Sequence, residues 1–600
     1  MATEHLLEEF PPVGTAEWEA AIARDLKGTD YEKKLIWHTD EGLAVRPYYR
    51  TADLKGLANL DAAPGEFPYR RGVRARGGWR IREEIDVTDL AKANQAARDA
   101  IAAGADEVSF GAVQVESAAE LKLLVANLDE IPLHFEHADE RLIRLLAGWM
   151  KGHKRAPVST GSDALKSLEF AADAIAASPV GFVPFTIHAE VFEERGGTAV
   201  EEIGFALAAG IDFLAAMQER KADLEHVAAA ISFHFAIGTN YFFEIAKLRA
   251  LRMMWARAAQ SFGVVGQGSR ARIAARTSRR NATVYDPHVN ILRGTTEAMA
   301  AILGGADSVV VAPFDECYKR PDGASRRLAR NTQLLLKHEA WLGHVADAAG
   351  GSYYVEALTD ALARGGWNRM QEIEELGGYR KAMAAGVINR ILTSGSVASE
   401  KSVLARRRVI VGTNQFANPS ERVLGRIDAR QMKNTKRCAR EFEELRLRSE
   451  RHAATGGRTP HVLLAEIGDM KMRMARSDFA RNFFACAGFE IETRRFTKAA
   501  AIAVAESDVI VLCSSDAEYA GLTAELMPAV KELRRETPVI VAGNPESAEQ
   551  LKAAGIADFV HLRSNAVEVL TDWQKRLGIE NSVDSGPQNR GQGQLRKSKG

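Results

Sequence analysis

Short apolar runs alternate with Ala-rich, helix-forming stretches along most of the chain, and glycine marks the change from one to the other. Four segments share this design: AAGADEVSF (residues 102–110), AAGIDFLAA (208–216), LGGADSVVV (303–311) and AAGIADFVHL (553–562). Glycine readily takes the left-handed conformation that ends a helix, and the apolar run after it reads as a buried strand. Repetition of such units predicts an α/β fold with a parallel sheet. Further strands are expected at 131–135, 181–187 and 231–235. A helix over 243–262 carries Ile245, Leu248, Leu251 and Trp255 on one stripe. Residues 76–420 have the length of one (β/α)8 barrel with helical insertions, and the pattern fits a doubly wound sheet as well.

Beyond residue 420 the composition shifts. Residues 421–458 include KRCAREFEELRLRSER, which reads as a solvated helix linking two domains, followed by a flexible ATGGR. A second α/β unit is expected over 459–580, with strands at His461–Glu466, Val509–Cys513, 539–543 and 558–562 in flavodoxin-like spacing. Residues 581–600, polar and rich in Gly and Gln, read as a disordered tail. Residues 1–75 hold Trp, Tyr and Pro without periodicity and read as an arm that packs on a partner.

Composition adds exclusions. Six hundred residues exceed what one core organises. Lys plus Arg equals Asp plus Glu, 79 each, so there is no electrostatic case for nucleic acid or an anionic membrane. Cys317, Cys438, Cys486 and Cys513 form no CxxC, and neither cysteines nor carboxylates show metal-ligand spacing. The N-terminus MATEHLLEEFPPVG is acidic, with no apolar run of signal-peptide or membrane-span length, which points to the cytoplasm.

Four segments carry a specific likeness. EIAKLRALRMMW (244–255), EAMAAILGG (297–305), RNTQLLLKHE (330–339) and GGSYYVEALT (350–359) resemble, in order, the barrel of the methylmalonyl-CoA mutase family. The resemblance implies a TIM barrel that encloses an acyl-CoA, then a flavodoxin-like, cobalamin-binding-type domain. It also implies adenosylcobalamin, whose radical chemistry the protein orients and shields from water.

The same resemblance marks positions where this chain departs from the family. Active members carry D-x-H-x-x-G after the first strand of the second domain, the histidine ligating cobalt. Counting back from GFEI (488–491) places this motif on KMRMAR, with Lys471, Arg473 and Arg476 at the Asp, His and Gly positions. Arginine offers a metal no lone pair, and lysine cannot accept a hydrogen bond from an imidazole. The family's S-x-L reads Ser514, Ser515, Asp516, its Gly-Gly reads Ala542-Gly543, and the nearest histidine in sequence is His461, outside the motif. In the barrel, R-T-H-S-Q-T-S-G aligned through EAMAA puts Ala274 at the substrate-polarising histidine. W-T-I-R-Q-Y reads WRIREE, with Glu84 at the tyrosine, where a carboxylate has the wrong charge for an anionic acyl group.

Bacterial members of the family are often heterodimers of an active large and an inactive small subunit, and VLCSSD and YDPHVN resemble the small one. The resemblance therefore implies a non-catalytic small subunit with neither catalytic residue, cofactor nor metal of its own. Its partner would be a homologous large subunit that binds adenosylcobalamin and substrate. Two alternatives remain open, a self-sufficient divergent acyl-CoA mutase and an acyl-CoA-binding regulatory subunit. Other features read plainly. His234 is expected as a core or hydrogen-bonded histidine, His288 as a helix-entry residue, GVVGQGS (263–269) as a loop and Arg406–Arg408 as a solvated face. KMRMAR is expected to fill the cavity a cofactor would occupy.

Overall fold

The computed structural model describes residues 13–151, 156–428, 431–432, 436–533 and 536–579. The expected tail and the start of the arm lie outside them. Strands Arg80–Ile85, Glu107–Phe110, Leu133–Phe135, Val158–Thr160, Phe182–Val183, Phe185–His188, Ile231–Ile237, Ile273–Thr277 and Ser308–Val310 form one parallel sheet. Phe182–Val183 pairs with the fourth strand and Phe185–His188 with Ile231–Ile237. The two pieces are one strand, split at Pro184, which has no N–H to give to a ladder. Their pairings close the sheet into an eight-position barrel, which separates it from the doubly wound alternative. At the seam the Thr160 hydroxyl donates to the Pro184 carbonyl (2.6 Å) and the Thr186 hydroxyl to the Thr160 carbonyl (2.7 Å).

The segment AAGIDFLAA departs from its expected helix–strand reading. It lies within one helix, Ala199–Glu219, on which fifteen residues are buried. A Cβ on Gly210 would stand 2.6 Å from the Trp255 ring, on helix Tyr241–Ser261. Here glycine serves close helix packing, which local sequence does not distinguish from a helix end. The described part of the arm packs on this chain's own barrel: Tyr69 meets Ser269 (3.2 Å), and buried Arg70 donates to Glu356 (2.7 Å). Glu356 also accepts from Arg249 (2.9 Å), which in turn reaches Asp347 (2.9 Å).

The second sheet, His461–Glu466, Glu490–Arg495, Val509–Cys513, Val539–Ala542 and Asp558–Val560, is parallel. Taken along its own chain, its order is second, first, third, fourth, fifth. That is the flavodoxin-like doubly wound arrangement, with a crevice at the strands' C-terminal edge.

The connecting helix, Arg440–Ala454, is not solvated as its composition suggested. Its Glu443 accepts from the Val284 amide (2.7 Å). Glu450 accepts from the Tyr285 hydroxyl (2.6 Å) and the Val423 and Leu424 amides (2.9 Å each). Buried Arg446 covers the Tyr285 ring at 3.7 Å. The charges face a barrel loop, each one partnered, so mixed charge here marks an interface. Arg406 likewise is half-buried, donating to the Asn414 carbonyl at 2.8 Å.

Candidate functional site

Inside the barrel, Arg82, Glu84, Ser109, Glu136, Glu190, His234, Ala274 and Arg276 line a cavity of ≈ 70 Å³. Glu84 does not stand bare. Arg276, from the seventh strand, grips it at 3.0 Å and Glu316 at 2.7 Å, and Arg279 adds a contact to Glu316 at 3.2 Å. Burial opposes the charge on Arg276, but Glu316 and Glu84 outweigh it and hold the guanidinium protonated. Burial raises Glu316, and Arg276 and Arg279 bring it below its ordinary value. Ala274 brings no functional atom, and its register partner on the neighbouring strand is His234.

Two further imidazoles stand near His234, with ring centroids 5.0 Å (His134) and 5.9 Å (His188) away. His134 Nδ1 meets Ser159 Oγ at 2.9 Å and its Nε2 meets Glu136 at 3.1 Å. His188 Nδ1 meets Glu190 at 2.6 Å and its Nε2 the Gly161 carbonyl at 2.8 Å. Burial disfavours charge on His188, but the Glu190 carboxylate outweighs it and lifts the imidazole to about 9. His234 is driven well below its ordinary value by burial, then by His134 and Arg82. Its Nε2 has no hydrogen-bond partner among the described residues, so it is buried as expected but not hydrogen-bonded there.

A larger cavity, ≈ 500 Å³, opens at the strands' C-terminal ends. Arg279, Arg280, Arg293 and Lys436 face Glu194, Glu297 and Glu316 around it. His288 stands at the N-terminus of helix Val289–Leu303, as expected, stacked on Phe314.

On the second domain, side chains fill the crevice edge. Arg473 is buried and donates to the Gly468 carbonyl at 2.6 Å. Arg476 pairs with Asp516 at 2.8 Å, and a Cβ on Gly543 would lie 3.3 Å from that guanidinium and 3.1 Å from that carboxylate. Glu518 ties the loops together, accepting from the Ser514 and Ser515 hydroxyls (2.6 Å each) and the Asp469 amide (3.1 Å). Those bonds hold its carboxyl down at about 2.

The family model for methylmalonyl-CoA mutase matches residues 38–116 and 164–463. The chain belongs to the methylmalonyl-CoA mutase family. It is 35% identical to the methylmalonyl-CoA mutase small subunit of Porphyromonas gingivalis, over 96% of this chain and 99% of that one. It is 32% identical to the small subunit of Streptomyces virginiae, over 96% and 98%. Against the large subunit of Streptomyces virginiae it is 29% identical, over 74% of this chain and 67% of the other.

Lys471 is exposed at the first turn of helix Met470–Ala485, while Arg473 and Arg476 present guanidinium groups without a lone pair. These side chains do not fit the role of a cobalt ligand. Asp516 pairs with Arg476 above Gly543, and Ala542 is buried in the fourth strand of this sheet. Of the positions marked in the sequence, the structure brings Arg476 and Asp516 together at Gly543, and it adds His561, which the sequence reading passed over. This histidine follows the last strand, accepts from the Arg563 amide at 3.1 Å, and is lowered by burial, Arg563 and Arg476.

Proposed function

We propose that this chain is the small subunit of a heterodimeric, adenosylcobalamin-dependent methylmalonyl-CoA mutase. It is non-catalytic and stabilises a homologous large subunit that holds cofactor and substrate. The complex interconverts methylmalonyl-CoA and succinyl-CoA in propionate metabolism, in the cytoplasm. The observation that carries this reading is the Arg476–Asp516 pair packed against Gly543, where a cofactor tail would need open backbone. Whole-length similarity to two small subunits supports it. So does the Glu84–Arg276–Glu316 trio, whose charges are spent on one another. No helix among the described residues is long and apolar enough to cross a membrane, in keeping with the location.

The test is a visible spectrum of the purified chain mixed with adenosylcobalamin, then freed of unbound cofactor. The expected result is no retained cofactor, and co-purification with a large subunit that does retain it. Retention with a red-shifted, base-off spectrum would revive the self-sufficient mutase, and loss of that spectrum in His561→Ala would identify the ligand. The ≈ 500 Å³ cavity with its four cationic side chains favours a second reading, an acyl-CoA bound as a regulatory ligand. That reading requires thermal stabilisation of the isolated chain by acyl-CoA without turnover.

A further inference from the structure

The tripeptide pattern His-x-Glu occurs at the ends of two barrel strands, His134-Phe135-Glu136 and His188-Ala189-Glu190. In each pair the imidazole meets the carboxylate two residues on, His134 with Glu136 at 3.1 Å and His188 with Glu190 at 2.6 Å. Closure of the barrel brings both pairs to His234 on the sixth strand. One ligand atom from each of His134, Glu136 and His234 lies within 4.8 Å of the other two, and the same holds for His188, Glu190 and His234. We propose that the barrel lumen binds one divalent transition-metal ion through His134, Glu136 and His234, with His188 and Glu190 forming a second group that shares His234.

Three observations carry this. First, His234 is 91% buried, being 9% exposed, and its Nε2 lone pair or hydrogen meets nothing among the described residues. Leaving such a buried group unsatisfied is unfavourable, and a ligand at this point removes the penalty.

Second, the hydrogen-bond logic around His188 demands a positive particle. A carbonyl only accepts, so the contact to Gly161 fixes the hydrogen on Nε2. Nδ1 then faces a Glu190 oxygen at 2.6 Å, and two acceptors stay that close only with a proton or a metal ion between them. Tautomer fixing by a carbonyl is the usual support of a metal-bound histidine. The metal displaces the proton to solvent, so charge and atoms balance.

Third, the spacing suits coordination. Two ligands each about 2.1 Å from a metal stand about 3.0–3.4 Å apart at octahedral or tetrahedral angles. His134 Nε2 and Glu136 are 3.1 Å apart, while the His188–Glu190 contact opens by a few tenths. Glu136 and Glu190 bring a carboxylate to each of the two groups around His234, and Arg82 is paired with Glu107 at 2.8 Å. Imidazole and carboxylate without thiolate select zinc, cobalt, manganese, iron or nickel in the divalent state, over calcium or copper(I).

The experiment uses the full chain without a histidine tag, stripped with chelator and titrated with Zn²⁺ by calorimetry and with Co²⁺ by visible spectroscopy. The expected result is about one ion per chain, with His234→Ala and Glu136→Gln each weakening affinity by more than the roughly 10–100-fold that loss of an outer-shell partner costs. No binding by the parent chain, or unchanged affinity in both variants (an adventitious ion only), overturns the proposal. Should the variants fail to fold, X-ray absorption of the zinc-loaded parent decides. Imidazole scattering from two or more histidines is expected, and a shell of oxygen and water alone overturns the site.

Discussion

Replacing Glu356 with glutamine keeps the side chain's shape and deletes its charge at the point where three distant segments meet. Glu356, Arg70 and Arg249 are all fully buried. The carboxylate accepts from Arg70 (2.7 Å), Arg249 (2.9 Å) and the Gly351 amide (3.0 Å). In the variant Arg249 keeps Asp347 (2.9 Å), while Arg70 is left with the backbone carbonyls of residues 58 and 356 (3.3 and 3.0 Å), and breaking a buried pair in this way costs about 3–5 kcal/mol. The proton affinity of the group gives an independent measure. Burial raises its pKa, but Arg249, the Gly351 amide and Arg70 outweigh that and bring it from 4.5 to about 2. At 1.36 kcal/mol per pH unit, the shift corresponds to about 3 kcal/mol of folding stability.

The sign follows from the direction. A depressed carboxylate pKa stabilises the fold fully above the unfolded value of 4.5, and that contribution is lost as pH falls through about 2. Urea unfolding of parent and Glu356→Gln, followed by tryptophan fluorescence from neutral pH down to about pH 3, reads both quantities. The expected gap is about 3–5 kcal/mol at neutral pH, narrowing below pH 4.5. A gap below about 1 kcal/mol, as for a surface ion pair, or one that does not change with pH, would refute the reasoning.

Two further substitutions probe packing and the Glu84–Arg276–Glu316 trio. Gly210→Ala drives a methyl to within 2.6 Å of the Trp255 ring, and thermal unfolding should show a loss of about 1–3 kcal/mol. Arg276→Met leaves Glu84 and Glu316 facing each other with Arg279 as the nearby cation. The expected loss is about 2–3 kcal/mol, partly recovered in the double variant with Glu84→Gln; urea midpoints provide the check.

Much of the fold was legible because buried parallel strands announce themselves. His461–Glu466 and Val509–Cys513 form as read, since continuous apolar runs behind a helix have few other places to go. The segment around Gly210 misled because glycine that ends a helix and glycine that admits a neighbouring ring look alike in sequence. The helix Arg440–Ala454 misled for a related reason: its Glu443, Arg446 and Glu450 look solvent-facing until their partners across the interface are known. Barrel closure was beyond the pattern, because it depends on the two halves of a strand, either side of Pro184, pairing with different neighbours.

At the sites, resemblance placed Arg473, Arg476 and Asp516 on one crevice, as the fold does. It left Glu84 unpartnered, because Arg276 is remote in sequence. The histidine cluster was missed although its signal was present, His-x-Glu twice at strand ends. Each pair alone is unremarkable, and only the closed sheet sets both beside His234.

The bonds made by Glu443 and Glu450 bear on the order in which this chain acquires its structure. They join residues 159 and 165 positions apart to Val284 and Tyr285. Contacts of such separation bring heavy loop-closure entropy and come late unless the intervening chain is already compact. The barrel and the doubly wound unit each bury a separate apolar cluster, so each condenses around its own nucleus. Phe442 and Leu445 of the connecting helix belong to the core of the doubly wound unit, so it is the joining of that unit, helix included, to the barrel loop at Val284 and Tyr285 that is expected late in folding.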